Sequence, residues 1–340
     1  MRTQALFFAL VFAGCGADPE APKDHAIRTV KSYIAANLEG LVSAAAELET
    51  LAPAPDADGW NAAQDAAPLE AMRGAWKRAR SSYEHIEGAI AVLFPELDVS
   101  TDERYDGFVS AAVDEDLFDD QGVTGVHAIE RILWSNAIPA AVLRFEEGLP
   151  GGAYRPARFP ENASEAQEFK EKLCHRLRVD VSTMREQFAP LALDASAAYR
   201  GVIGSMAEQV EKLEKAASGE EESRYAQYTL ADMRANLEAA RLTYEAFRPW
   251  LLDRDGTAAD AKISAGFDRL ELAYGKISGD ALPPVPATWS AAHPSKTDLA
   301  TPFGQLYAAV LAEVSTSTPA ALVFEMDQSA SLMGIPTLAE

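Results

Sequence analysis

Two short stretches of the chain carry residue types that could hold a cation. In "GVTGVHAIERILW" (122–134), His127 and Glu130 stand three residues apart, a spacing that puts both on one face of a helix. In "YEHIEGAI" (83–90), Glu84 and Glu87 repeat that spacing. One imidazole with several carboxylates suits iron, manganese or zinc better than a thiolate-seeking metal. Each pair also has an ordinary reading: His127 with Glu130 as a buried hydrogen-bonded pair, and Glu84 as the i, i+4 partner of Arg80. Glu87 fits no such reading, because a second carboxylate beside Glu84 adds repulsion unless something positive is near.

The remaining candidates are weaker. His25 falls at a helix start, His293 in a Pro-containing loop, His175 beside Cys174, and His85 about 100° around the helix from Glu84. Cys174, within "EKLCHRLRV", is expected as a small buried side chain. The loop "DEDLFDD" (114–120) lacks the glycine and spacing of an EF-hand and reads as a solvated acidic segment. "HAIER" is not HExxH, so the two-histidine zinc helix of many metallopeptidases is missing. No activated serine or cysteine nucleophile can be argued.

Helices must position these residues. Apolar positions recur at three and four from Ile27 through Val30, Ile34, Leu38, Leu41 and Ala45 to Leu48, with Asp24 as the expected N-cap. A second stripe (Met72, Trp76, Ala79, Tyr83, Ile86, Ile90, Leu93) predicts one helix that stops at Pro95. A short helix is expected after "LDVSTDERYDGF", and the His127 helix from about Thr124 to Pro139. Further helices are expected at about 164–188, 191–217, 221–252 and 257–278, with a last one from Pro302. Strand and hairpin signals are nearly absent, so the fold class is all-α, a helical bundle architecture.

"MRGAWKRARSSYE" (72–84) aligns without gaps on "MRANLEAARLTYE" (233–245), with six of thirteen residues identical. This repeat suggests two related helical bundles, one over 24–145 and one over 165–315. The Gly- and Pro-rich stretch 146–164 links them, and 316–340 follows as a tail. The copies differ where it matters: Arg80, Glu84, Glu87 in the first correspond to Arg241, Glu245, Arg248 in the second. An arginine cannot ligate a cation, so a cation site is expected in the first half.

The N-terminus reads as a secretory signal: Arg2, an apolar run from Ala5 to Ala13, then "FAGC". That ending resembles a bacterial lipobox over residues 1–15, which makes Cys15 the lipidation site, and 16–23 a tether. Gly16 offers no inner-membrane retention signal, so a cell-envelope, periplasmic protein anchored by lipid to the outer membrane is expected. Net charge is −22, which argues against nucleic acid as a partner and suits cations.

With these residues in hand the chain resembles the imelysin-like family: "GVHAIERILW" is similar to its GxHxxE motif. "YEHIEGAI" and the segment Asp102-Glu103-Arg104 are similar to its ExxE and Asp elements. The resemblance covers residues 25 to 315 and implies two pseudo-repeated four-helix bundles. It implies a metal site on Glu84, Glu87, Asp102, His127 and Glu130, with Asp180 a weaker candidate from a facing helix. It further implies a lipid-anchored iron-uptake component that passes iron, Fe2+ or Fe3+, to a membrane permease, with zinc an alternative metal. The longer members carry an extra N-terminal cupredoxin domain that is not expected in this chain, which favours binding over redox chemistry. The competing readings are a metallopeptidase, a label the family has carried, and a cation-dependent protein for acidic polysaccharide or peptide.

Overall fold

The structure is a computed structural model that describes residues 20–103, 116–149 and 156–338. Cys15, Arg104, the first residues of the 114–120 loop, and the short helix expected after 97–108 lie outside them. All regular structure among the described residues is helical. Helix α1 spans Pro22–Leu51, α2 Ala66–Glu84, α3 Glu87–Leu93, α4 Pro95–Asp102, α5 Gly125–Leu133 and α6 Ala140–Glu147. Next comes α7, which runs Ala163–Glu168, passes through a π-helical turn at Phe169–Cys174 and continues as His175–Phe188. A second π-helical turn, Ser196–Arg200, leads into α8 (Gly201–Ala207), then α9 (Gln209–Ser218), α10 (Thr229–Leu252) and α11 (Thr257–Gly275). The short α12 (Lys296–Leu299), α13 (Pro302–Glu313) and α14 (Leu322–Leu332) follow.

The α1 stripe is buried as its spacing predicts, from Val30 through Leu48. Its start is set by Pro22 in the first turn, whose fixed φ suits a helix N-terminus, rather than by Asp24, which lies inside that turn. The helix α1 packs along α2 and also touches α7 and α10, while α11 is held between α10, α13 and α14. The two helices of the repeat, α2 and α10, lie against each other, and one continuous hydrophobic cluster runs from Ala26 to Ile335. The segment 316–340, expected as a tail, contributes α14, which buries Leu322, Val323, Met326 and Ala330. That spacing is an amphipathic helix in its own right.

Three departures from the expected helices shape the site. The helix expected to run unbroken to Leu93 stops at Glu84 and restarts at Glu87. The carbonyl that the break frees on Glu84 accepts a 2.8 Å hydrogen bond from Asn236 Nδ2 of α10. The restart lets Gly88 meet Gly201 of α8 backbone to backbone, with no room for a Cβ on either. The helix expected from 221 begins at Thr229, after the left-handed Gly219 ends α9 and residues 221–228 form an irregular turn. The His127 helix ends at Leu133, five residues short of the one before Pro139, and passes into a 3-10 turn at Ser135–Ala137.

Gly125 fixes where α5 begins. Its φ is +81°, and a Cβ there would run into the Thr101 carbonyl at the end of α4. Thr124 Oγ1 adds a 3.2 Å bond to the Ser100 carbonyl, and Trp76 Nε1 of α2 donates to the Val126 carbonyl at 2.8 Å. This close approach places His127 next to Asp102. We predict that Gly125→Ala destabilises the protein by about 1–3 kcal/mol, from left-handed backbone strain and overpacking together. Gly204→Ala, in a helix with open space around the added methyl, is expected to stabilise by about 0.5–1 kcal/mol. Urea unfolding of the two variants beside the parent checks the opposite signs.

Candidate metal centre

The site is built around a buried arginine. Arg80 of α2 is fully buried, and its guanidinium pairs with Asp102 and Glu84, lies 2.6 Å from Glu222 and keeps Nε 3.4 Å from Asp232. Lys212 of α9 enters from the other side, its Nζ 2.7 Å from Glu222, 3.2 Å from Glu84 and 3.7 Å from Glu87. Each of these elements was needed to gather the group: α2 and α3 supply Glu84 and Glu87 on the two sides of the helix break, and α4 supplies Asp102. The irregular turn before α10 lowers Glu222 into the cluster. Asn236 steadies the arrangement with a second bond, 3.0 Å to Glu87 Oε2, and is itself held by Gln209 at 2.8 Å.

His127 completes the wall. Its Nδ1 is 2.9 Å from Glu130 Oε2, and Glu130 Oε1 accepts the backbone N–H groups of Tyr225 and Ala226 at 2.9 and 2.8 Å. The other ring nitrogen, Nε2, is buried without a hydrogen-bond partner and faces Asp102 Oδ1 at 3.4 Å. This is the pattern of a metal-binding histidine: one nitrogen anchored by a carboxylate, the other turned toward the ion.

Of the five residues expected as ligands, Glu84, Glu87 and Asp102 meet in one group, and His127 meets Asp102 in another. One ligand atom from each of Glu84, Glu87, Asp102 and Glu222 lies within 4.8 Å of the others, and Asp102, His127 and Glu222 form a second such group. An ion with donors at about 2.0–2.2 Å spaces its ligand atoms by roughly 3–4 Å, so each group lies somewhat wider than a closed coordination shell. Glu130 stands behind the imidazole, its carboxylate engaged by two backbone amides and by Nδ1. Asp180 belongs to neither group; it accepts bonds from Ser100 and from Arg176 Nε at 2.6 Å. His85 contacts the Ser81 carbonyl, His175 contacts Glu49, and burial pushes the Cys174 thiol far up, which makes it inert.

Sequence reasoning missed Glu222, Lys212 and Asp232, all from the second half. A signal for part of this exists in the repeat. Asp232 and Asn236 of α10 stand where the first copy has Ala71 and Ala75, so two polar residues interrupt a helix that is otherwise mostly buried. Glu222 carries no such mark, because "GEEESR" looks like any solvated acidic run.

The electrostatics follow from crowding. Five carboxylates (Glu84, Glu87, Asp102, Glu222, Asp232) face two fixed cations and one imidazole. Burial pushes Glu84 up to about 8, with Arg80 opposing and Glu87 adding to the shift. Burial likewise raises Glu87 to about 7 and Asp232 to about 8. Glu222 goes the other way: burial opposes its charge, but Lys212 and Arg80 hold it far below the usual carboxylate range. Burial also opposes charging His127, yet the Asp102 and Glu130 carboxylates raise it to about 9. A cleft of about 330 Å3 opens onto the cluster, lined by Glu87, Asp102 and Glu222 inside and by Glu103, Glu208 and Glu211 further out.

A family model described as imelysin, under the heading Peptidase M75, matches residues 32–308. The chain belongs to the imelysin family. It is 25% identical over 251 residues to proteins named "Iron uptake system component EfeO" from Escherichia coli strain K12 and from Shigella flexneri. That alignment covers 74% of this chain but 53% of each relative, so the chain spans about half the length of the curated relatives it matches. The imelysin match runs through both helices of the repeat and the whole cluster described above.

Arg80 is the group whose loss the cluster can least tolerate, since it leaves several buried carboxylates facing one lysine. We expect Arg80→Met to destabilise the metal-free protein by about 3–5 kcal/mol, the scale for breaking one side of a buried ion pair. The corresponding Arg241→Met is expected to cost less than about 1 kcal/mol, because Arg241 pairs with Glu245 and Asp268 at the half-exposed surface. Chemical denaturation of both variants without added metal checks the contrast.

Proposed function

We propose that this imelysin chain is an extracytoplasmic iron-binding protein. It captures the ion through Glu84, Glu87, Asp102, Glu222 and His127 and passes it to a membrane uptake system. The observation that carries the reading is His127: one nitrogen is anchored by Glu130, and the other, buried and making no hydrogen bond, faces Asp102 Oδ1 at 3.4 Å within a group of carboxylates. Such a donor set suits iron, manganese or zinc, and the names of the relatives, which call them iron uptake system components, favour iron. Glu130 acts in this scheme as the residue that orients the imidazole. Lipid attachment through Cys15, a periplasmic location at the outer membrane and delivery to a permease belong to the same proposal. No described helix is long and apolar enough to cross a membrane, which is compatible with attachment by lipid.

Binding, not hydrolysis, is the assigned role despite the family's peptidase label. Among the described residues, the His-containing helix at the site presents one histidine, with Arg131 where a zinc peptidase would place its second. The cluster also keeps two permanent cations, Arg80 and Lys212, among its carboxylates.

Calorimetric titration with Fe2+, Fe3+ and Zn2+ tests the reading. One equivalent is expected to bind, with iron preferred, and His127→Ala with Glu87→Ala is expected to abolish binding. Glu130→Gln should weaken it by about 10–100-fold, the usual cost of losing the carboxylate behind a metal-bound histidine. Unchanged binding in the double variant would return His127 and Glu130 to a purely structural pair.

The pH dependence has a definite sign. A proton and a metal ion compete for the same donor, and Glu87, Glu84 and His127 hold protons up to about 7, 8 and 9. Affinity is therefore expected to rise between about pH 6 and 9, with protons released on binding at neutral pH. Titrations in buffers of different ionisation enthalpy measure that release directly.

A further inference from the structure

The lysine in the cluster is harder to explain than the acids. Lys212 is buried, although it lies one turn from the mouth of the cleft, and its Nζ contacts three of the carboxylates assigned to the metal. A side chain with four rotatable bonds and three donors forms a movable cation, unlike the planar guanidinium of Arg80, which is locked to four partners. Its three partners, Glu84, Glu87 and Glu222, are three of the four members of one potential ligand group. A metal ion and the Lys212 ammonium would therefore occupy overlapping places.

An exit for the lysine is present too. Glu208 stands four residues before Lys212, and both line the cleft with Glu211 and Lys215. A carboxylate at i and a lysine at i+4 are neighbours on a helix surface, so the freed ammonium has a partner one turn toward solvent.

Building on the metal-binding reading above, we propose that Lys212 is a displaceable counter-cation: it holds Glu84, Glu87 and Glu222 together before capture, and the incoming ion pushes it out toward Glu208. The device sets affinity from both sides. Lys212 prearranges the carboxylates, which would otherwise repel one another, and it competes with the metal for them, so that the ion can be released when the lysine returns. Capture becomes an exchange of one cation for another rather than the filling of a bare anionic pocket.

Two measurements on the full mature chain test this. The first is calorimetric affinity for Fe2+ and Zn2+ in the parent and in Lys212→Met, which keeps the aliphatic stem and removes the charge. The expected result is tighter binding by about tenfold or more, the change made by removing one charged competitor, with a lower melting temperature before metal is added. Weaker or unchanged affinity in a folded Lys212→Met would overturn the proposal while leaving the metal site intact.

The second measurement needs no variant. Amine acetylation followed by mass spectrometry is expected to find Lys212 protected without metal and reactive at saturating Zn2+, with Lys276 as the exposed control. Lys212 equally protected in both states would sink the displacement even if metal binds. A parent protein that binds neither ion in the titration would instead overturn the metal reading and this inference with it.

Discussion

Arg80 is the charge around which the described structure is arranged. A guanidinium with no exposed surface is costly to desolvate unless its donors are satisfied by acceptors of opposite charge. Here Asp102, Glu84 and Glu222 pair with its terminal nitrogens, while Nε lies 3.4 Å from Asp232 as an ion pair without a hydrogen bond. These come from three distant parts of the chain, so a single buried arginine ties α2 to the end of α4, to the turn before α10, and to α10 itself. The cluster is more acidic than Arg80 alone can balance. That excess draws in Lys212, while burial first and the neighbouring carboxylates second push Glu84 and Asp232 up.

The backbone is shaped to make this crowding possible. An unbroken helix would set Glu84 and Glu87 on one cylinder face about 5–6 Å apart at Cβ. Breaking it at His85–Ile86 turns α3 against α8 through the Gly88–Gly201 contact, and Asn236 caps the carbonyl that the break exposes. At the other side, Gly125 lets α5 start against the end of α4, which sets His127 beside Asp102. The features that look like local imperfections (a broken helix, a positive φ, an irregular turn at 221–228) are the ones that gather the carboxylates and His127, as expected when local rules yield to a functional site.

The all-α class and the core stripes were legible in the sequence because period-3.6 burial is a local property: Val30 to Leu48 and Met72 to Ile90 read off directly. Half of the site was legible for the same reason, since HxxE and ExxE are spacings within one segment. What escaped depends on contacts between distant segments. Nothing near "GEEESR" distinguishes Glu222 from its exposed neighbours, and nothing near Lys212 shows that a lysine of an amphipathic helix points inward. The expectation that the cation site belongs to the first half rested on Arg248 replacing Glu87 in the second copy. That comparison explains why the acidic pair at 84 and 87 has no counterpart at 245 and 248, but segments of the second half still join the cluster, as α9 does with Lys212 and the turn before α10 with Glu222. Arg80 shows the same limit: as an i, i+4 partner of Glu84 it resembles Arg241 with Glu245, yet one pair is buried and the other lies at the surface.

Net charge and site charge act on different scales. A chain at −22 attracts cations from a distance, but at physiological ionic strength that attraction fades within about 8 Å, so it raises encounter without choosing an ion. Choice belongs to the interior, where low dielectric makes each unbalanced charge consequential. On the metal-binding reading proposed above, Arg80 stays in place and the cluster would favour a cation that also accepts an imidazole. Hard, oxygen-only ions gain nothing from His127, whereas iron or zinc does. On the function proposed above, a site whose protons and internal cations can replace the metal would give it up more readily than a bare carboxylate cage, a property that suits passing the ion onward.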